Sequence, residues 1–209
     1  MSRSKLNYKV YNSKSIKKIF ENSRCYILAL LFALGIIIGA ISINADNTII
    51  NNISNIIDSY TLVKAGQGIT DNFLNSLTVN LLFIFINIFF SFSLIGYPII
   101  FWIPFLKGLG LGSVCGYLYF MYKLSGLGYC ILTIIPGAIV STYALISACN
   151  NSCEYSKNAF LKAIIGKGQF EKGETKIHLI RQVVFIGICA MSSLIDAVFS
   201  MVFLKFFEF

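Results

Sequence analysis

The sequence predicts an all-α membrane protein that crosses the bilayer about five times on helices. Hydrophobic residues make up 56% of the chain and the mean hydropathy is +0.76. These residues lie in long blocks with almost no charge, whereas a soluble domain would alternate apolar and polar residues at a period of 2 or 3.6. About 20 apolar residues on a helix span the roughly 30 Å hydrocarbon core of a bilayer. A membrane β-barrel is disfavoured because its strands would appear as short alternating segments.

Five blocks are long and apolar enough to be spans of a single integral membrane domain covering residues 1–209. The predicted spans are residues 26–43, 73–95, 99–122, 128–148 and 183–206. The first block follows a basic segment, as the core of a signal peptide would, but it is longer than such a core. We therefore expect it to be retained as the first span. Residues 97–107 are compatible with either a re-entrant turn or the kinked start of the third span.

Positive charge predicts the orientation of the spans. Of the 17 lysines and arginines, seven lie in the N-terminal segment 1–25 and six in the loop 149–182, whereas the loop 44–72 carries only Lys64. Short loops rich in positive charge stay in the cytoplasm. We therefore expect the N-terminus and the loop 149–182 inside, and the loop 44–72 and the C-terminus outside. The net charge of +8 then reflects topology and contact with membrane lipid, and no nucleic acid is expected as a partner.

A few polar residues interrupt the apolar blocks and form a candidate intramembrane polar site. Asn80 and Asn87 lie seven residues apart on one face of the second span, Lys107 lies in the third, and Asp196 is the only acid deep in a span. An amide in lipid must find a hydrogen-bond partner, so the asparagine face is expected to point at another helix. An ionisable group inside a membrane is a functional hypothesis by default. The alternative, which the sequence favours, is that these groups only hold helices together.

Glycine and proline predict where helices meet. Gly108, Gly112 and Gly116 recur every four residues on one face of the third span, so another helix backbone can approach closely there. Pro136 is followed by Gly137 near the middle of the fourth span. This pair is expected to kink the helix, because proline removes a backbone hydrogen bond and clashes with the preceding turn.

We expect no catalytic, cofactor or metal site. The sequence has no GxSxG, HExxH or P-loop pattern, and no pair of carboxylates lies in the predicted spans. Cys149 and Cys153 lie four residues apart, but no second Cys/His pair completes a metal site, and His178 is the only histidine. The protein is therefore predicted not to be an enzyme.

The third span and its flanks carry a distinctive glycine- and proline-rich pattern. It consists of GYPIIF at residues 96–101, PFLKGLGLG at 104–112, GYL at 116–118 and GLG at 126–128. This pattern resembles the stage II sporulation protein M family. Family members also have a basic N-terminus, one span, a polar outer loop and four further spans. The chain departs from related members after Pro136, where it has uncharged residues at positions that are often polar or acidic.

The resemblance implies a non-enzymatic scaffold of endospore formation in the bacterial cell membrane, at the mother-cell side of the septum. Family members are described as anchors for the peptidoglycan-degrading stage II sporulation proteins P and D during engulfment. These proteins and membrane lipid are the implied partners, and a homo-oligomer stays open.

The residues themselves leave an alternative function open. The sequence is also compatible with a permease subunit of a transporter. The features that suggest it are Lys107, Asp196, the expected kink at Pro136 and the polar face of Asn80 and Asn87. Such a subunit would need a separate ATPase, since this chain lacks a P-loop. Whether any substrate is transported is open at this stage.

Overall fold

The computed structural model describes residues 23–43, 69–93, 96–165 and 173–204. These residues are helical apart from short turns and contain no strand, which confirms the all-α fold class. The helices are α1 (Ser23–Ile43), α2 (Ile69–Ser91), α3 (Gly96–Tyr129), a π-helical segment (Cys130–Ile134), α4 (Ile135–Ile165) and α5 (Glu174–Leu204). Most of the predicted N-terminal segment 1–25 and outer loop 44–72 lies outside the described residues.

Four helical stretches among the described residues are long and apolar enough to cross a membrane. They are Ser23–Ile43, Thr70–Ser91, Gly96–Leu161 and Glu174–Phe203. The third stretch has 66 residues and contains a backbone break at Lys123, with φ 53° and ψ −126°. A straight helix of that length would measure roughly 100 Å, about three times the thickness of the hydrocarbon core. The chain is therefore a multi-pass membrane protein, and the count of five spans stays a prediction.

The break at Lys123 reverses the direction of the chain. Lys123 is the only described residue other than glycine with a positive φ. After it, Gly126 packs so closely against the part of α3 that precedes Lys123 that a Cβ atom on Gly126 would overlap the carbonyl oxygen of Leu118. The glycine allows this close approach because it has no side chain. The last part of α3, after Lys123, and the π-helical segment that leads into α4 therefore run back along the first part of α3.

Helix directions alternate along the chain. Phe32 of α1 faces Gly108 of α3, and Ala40 faces Gly116, so α1 and α3 run parallel. The connection between α2 and α3 is a tight turn in which the Gly96 N–H donates to the Ser93 carbonyl at 3.1 Å. This turn makes α2 antiparallel to α3.

The last two helices are also antiparallel. The Gln182 side chain of α5 donates to the Ser152 hydroxyl of α4 at 2.9 Å, whereas Ser192 donates to the Gly137 carbonyl at 2.7 Å. Residue numbers thus rise on α5 as they fall on α4. An alternating order of five helical segments fits the predicted inside N-terminus and outside C-terminus, which the structure does not test.

The start of the third span is continuous helix. α3 runs without a break from Gly96 through Lys107, and Pro104 is buried inside it. Pro98 lies in the first turn, where its missing N–H has no carbonyl to bond within the helix. Residues 97–107 are therefore the beginning of α3 and not a re-entrant turn.

The irregularity expected around Pro136 lies just before it. The π-helical segment ends at Ile134, and the Ile135 N–H bonds the Cys130 carbonyl, five residues back. Pro136 follows in the first turn of α4 and cannot donate to the preceding turn. A π-bulge is a common way for a helix to absorb such a missing bond.

Most of the predicted basic loop 149–182 is helix in the structure. α4 continues to Ile165 and α5 begins at Glu174. Polar side chains of the two helices bond to each other there, as the Tyr155 hydroxyl and the Thr175 hydroxyl do at 3.0 Å. These polar side chains form hydrogen bonds with each other between the two helices. The composition of the segment alone does not distinguish this arrangement from a solvent-exposed loop.

Every helix contributes to one hydrophobic core. Each helix from α1 to α5 contributes at least one side chain that is at most 3% exposed. In chain order these are Leu28, Ile84, Ile103, Leu145 and Cys189. Large apolar side chains also cover the outer surface of each helix. Examples are Leu30, Phe85, Trp102, Ile139 and Val183, each at least 60% exposed. Apolar side chains on the outside of the bundle suit contact with lipid tails.

Candidate functional site

A cavity of about 340 Å³ lies between the helices and is the candidate functional site. All five helices and the π-helical segment contribute to its walls. Its apolar lining includes Phe32, Val79, Phe83, Leu111, Val114 and Ile134. Polar side chains occupy the rest of the wall. Ligand sites in proteins commonly combine an apolar lining with a few placed polar groups.

Lys107 lies in this wall and is connected to two other helices by hydrogen bonds. Its Nζ donates to the Asn80 Oδ1 at 3.0 Å, and the Asn80 Nδ2 donates to the Ser193 Oγ at 3.2 Å. Ser193 in turn donates to the Cys189 carbonyl at 3.0 Å. Since a cation in an apolar span is costly without partners, this chain of bonds explains how α3 can carry Lys107. The network joins α2, α3 and α5.

Asp196 lines the same cavity from α5. The Ser76 hydroxyl of α2 donates to its Oδ2. Gly137 leaves room for the carboxylate, because a Cβ on Gly137 would lie 3.0 Å from the Asp196 Oδ1. The Gly137 carbonyl also accepts the hydrogen bond from Ser192. Gly137 therefore allows α4 to approach α5 closely, in addition to following Pro136.

Thr142 supplies a polar group that the described residues do not satisfy. It is 7% exposed, it lines the cavity, and its hydroxyl has no hydrogen-bond partner among the described residues. Its neighbour Ser141 donates to the Ala138 carbonyl at 3.2 Å. Buried hydroxyls normally have a partner, so a water molecule or a bound group would suit the position beside Thr142.

Asn87 does not belong to this site. It is fully buried on α2, and neither its amide nitrogen nor its oxygen makes a hydrogen bond with a described residue. Of the four residues predicted as an intramembrane polar site, Asn80, Lys107 and Asp196 line the cavity together. In the described ranges, no group of three His, Cys, Asp or Glu side chains is placed to hold a metal ion.

Comparison with known protein families decides the identity of the chain. The family model described as stage II sporulation protein M matches residues 28–201. The chain belongs to the stage II sporulation protein M family. The match includes every residue of the cavity wall and starts inside α1. Neither the curated proteins nor the solved structures gave a match. The chain is thus a sporulation-related, multi-pass membrane protein.

The glycines that carried the resemblance to the stage II sporulation protein M family lie where α3 meets α1. A Cβ on Gly108 or Gly112 would overlap a carbonyl oxygen of α1, and one on Gly116 would lie 3.0 Å from the α1 backbone. Close contact between helix backbones provides van der Waals packing where lipid offers no hydrophobic driving force. Pro136, predicted with them, lies away from this interface at the start of α4.

The sequence reasoning missed the matching glycines on α1. A Cβ on Gly35 or Gly39 would overlap the carbonyl oxygen of Phe105 or Leu109, respectively. Ser113 adds a long hydrogen bond of 3.5 Å to the Gly39 carbonyl. The spacing Gly35-x-x-x-Gly39 is the signal that could have revealed them, since small residues four apart mark a helix-packing face.

A second polar cluster surrounds His178 at the start of α5. The imidazole Nε2 lies 2.8 Å from the Ser91 Oγ, and Nδ1 lies 3.0 Å from the Asn151 Nδ2. Tyr155 stacks on the ring with centroids 4.4 Å apart, and Arg181 donates to Asn151 at 3.1 Å. The cluster joins α2, α4 and α5. From sequence, His178 was considered only as a metal ligand. Its position four residues before Gln182, on the same helix face, was the signal for a polar face that could have been used.

Proposed function

We propose that this protein is a non-enzymatic membrane scaffold of endospore formation that recruits or anchors peptidoglycan-degrading proteins at the septum for engulfment. The observation that carries the proposal is the family match over residues 28–201. Stage II sporulation proteins P and D are the proposed partners, and the mother-cell septal membrane is the proposed location.

The described helix ends on either side of residues 44–68 support a scaffold role. α1 ends at Ile43, which is fully buried against Tyr117 of α3, and Asn72 in the first turn of α2 is 4% exposed. The interlocked glycines hold α1 against α3. The helix ends on both sides of the segment are therefore fixed by the bundle. A partner that binds between α1 and α2 would therefore be tethered to the bundle at both helix ends, as a scaffold requires.

Co-purification from sporulating cells tests the scaffold. Residues 49–57, in the predicted outer loop 44–72, would be replaced by a Gly/Ser linker of equal length. The matched control would replace residues 166–172, in the predicted inner loop 149–182, in the same way. We expect proteins P and D to co-purify with the wild type and with the control, and to be lost with the 49–57 replacement. Recovery of no wall hydrolase with the wild type, together with normal septal thinning in a deletion strain, would overturn the proposal.

The cavity favours a second candidate function, a permease subunit of a transporter. Lys107 and Asp196 both line a cavity inside an otherwise apolar bundle, as charged groups on a substrate path would. Such a subunit would bind a separate ATPase and would need the charge of Asp196. Co-purification of an ATPase and loss of function in Asp196→Asn would support it. Full function of Asp196→Asn with no bound ATPase would eliminate it.

A further inference from the structure

Cys115 of α3 and Cys130 of the π-helical segment bring their sulfur atoms to 2.6 Å. This separation is well inside the contact distance of two non-bonded sulfur atoms. The sulfurs of a disulfide lie about 2.05 Å apart, so bond formation needs a shift of roughly half an ångström. Cys130 is 2% exposed, whereas Cys115 is partly exposed.

The backbone around the two cysteines holds them together. They lie on the two arms of the hairpin that turns at Lys123, 15 positions apart in sequence. Gly126 lets the returning arm approach the Leu118 carbonyl. The approach of the sulfurs therefore follows from the packing of the hairpin itself and requires no movement of a distant helix.

We propose that Cys115 and Cys130 form an intramolecular disulfide that ties α3 to the π-helical segment. In the first step the thiolate of partly exposed Cys115 attacks a disulfide oxidant, forms a mixed disulfide and releases one oxidant thiol. In the second step the Cys130 thiolate displaces the other oxidant thiol. Two protein thiols and one oxidant disulfide thus give one protein disulfide and two oxidant thiols, with the electrons passing to the oxidant.

The position of this disulfide gives it two consequences. Val114, which precedes Cys115, lines the central cavity, and so does Ile134, four residues after Cys130 on the π-helical segment. The disulfide would therefore fix this part of the cavity wall. The hairpin at Lys123 also lies at the end of α3 that is predicted to face outwards, where disulfides persist. The inference concerns covalent structure and does not depend on the proposed scaffold function.

Thiol trapping on the full-length protein tests the disulfide directly. Membranes are dissolved in a denaturant that contains N-ethylmaleimide and no reductant, so that buried thiols are labelled as well, and the intact mass of the purified protein is measured. The chain has six cysteines. We expect the wild type to take up four maleimides before reduction and six when it is reduced before labelling. Cys115→Ser and Cys130→Ser should each take up five, and the control Cys149→Ala three. Peptide mapping should show a fragment that joins residues 115 and 130.

Thermal unfolding provides a second readout on the same material. Closing a loop of this length should make reduction lower the unfolding midpoint of the wild type by roughly 5–10 °C, with no such effect of reductant on Cys115→Ser. Six maleimides on the unreduced wild type, even after incubation with excess oxidised glutathione, would overturn the proposal. A linked peptide that joins other cysteines would overturn it as well.

Discussion

At the residue scale, buried polar side chains in the bundle differ in whether they are bonded. Asn80 bridges Lys107 and Ser193, whereas the amide of fully buried Asn87 makes no hydrogen bond with a described residue. We expect Asn87→Leu to raise the free energy of unfolding by about 1–2 kcal/mol, because it removes an unsatisfied buried amide. Asn80→Leu should lower it by about 1–3 kcal/mol, since it removes two buried hydrogen bonds and leaves the Lys107 Nζ without its amide acceptor. Thermal unfolding in detergent measures both, and equal damage by the two variants would contradict the expectation.

Lys123 is a second residue whose backbone permits a clear prediction. Its positive φ is a conformation that glycine adopts at lower cost than a residue with a Cβ. We expect Lys123→Gly to raise the free energy of unfolding by about 1 kcal/mol, even after glycine's larger loss of chain entropy. Ser125→Gly, at a helical position two residues on, is the matched control and should lower it by up to about 1 kcal/mol. Denaturation of both variants in detergent distinguishes strain relief from a general effect of glycine.

The polar residues were predictable from sequence only in part. Asn80, Lys107 and Asp196 stood out as polar groups in apolar blocks, and the structure brings them to one cavity. Asn87 gave the same signal and lies elsewhere. A spacing of seven residues places two side chains on one helix face, but it does not say what each meets at its own depth. The sequence did not single out Thr142, since the hydroxyl of a threonine in a membrane helix usually donates a hydrogen bond to a backbone carbonyl of the same helix.

At the element scale, the interface of α1 and α3 depends on glycine at defined positions. A Cβ on Gly112 would overlap the Ile36 carbonyl oxygen, whereas one on Gly110 would meet nothing within 4 Å. We expect Gly112→Ala to lower the free energy of unfolding by about 1–3 kcal/mol by forcing the backbones apart. Gly110→Ala on the same helix should be neutral or stabilise by up to about 1 kcal/mol through helix propensity. Similar unfolding midpoints for the two variants would show that α1 does not pack on this face.

Helix ends and interruptions were less predictable than the helices themselves. The apolar blocks placed the helices, but α4 and α5 extend far into the polar segment 149–182. Polar residues that face another helix and polar residues that face water look alike in a single sequence. The π-helical segment before Pro136 was likewise hidden. A proline in the sequence shows that one backbone hydrogen bond is missing. The packing of neighbouring helices then determines whether the helix kinks or forms a π-bulge at that point.

At the scale of the whole molecule, the alternating helix directions make the orientation testable. In a cysteine-free background, Ser59→Cys lies in the predicted outer loop and Gln169→Cys between α4 and α5 on the predicted inner side. We expect a membrane-impermeant maleimide to label Ser59→Cys in intact cells and to label Gln169→Cys only after lysis. Labelling of Gln169→Cys in intact cells would mean that the bundle has the opposite orientation.

The central cavity distinguishes the two proposed functions because a scaffold can lose it and a transporter cannot. Gly110 lines the cavity and has open space around it, so Gly110→Leu would fill part of the volume without displacing α1. If the protein is a scaffold, Gly110→Leu should leave spore yield and hydrolase recovery near wild type, and the added apolar contacts should raise the unfolding midpoint. If a substrate occupies or passes through the cavity, the same variant should lose function while remaining folded. Heat-resistant spore counts, read beside thermal unfolding of the purified variant, separate these outcomes, because a fold defect would lower both values together.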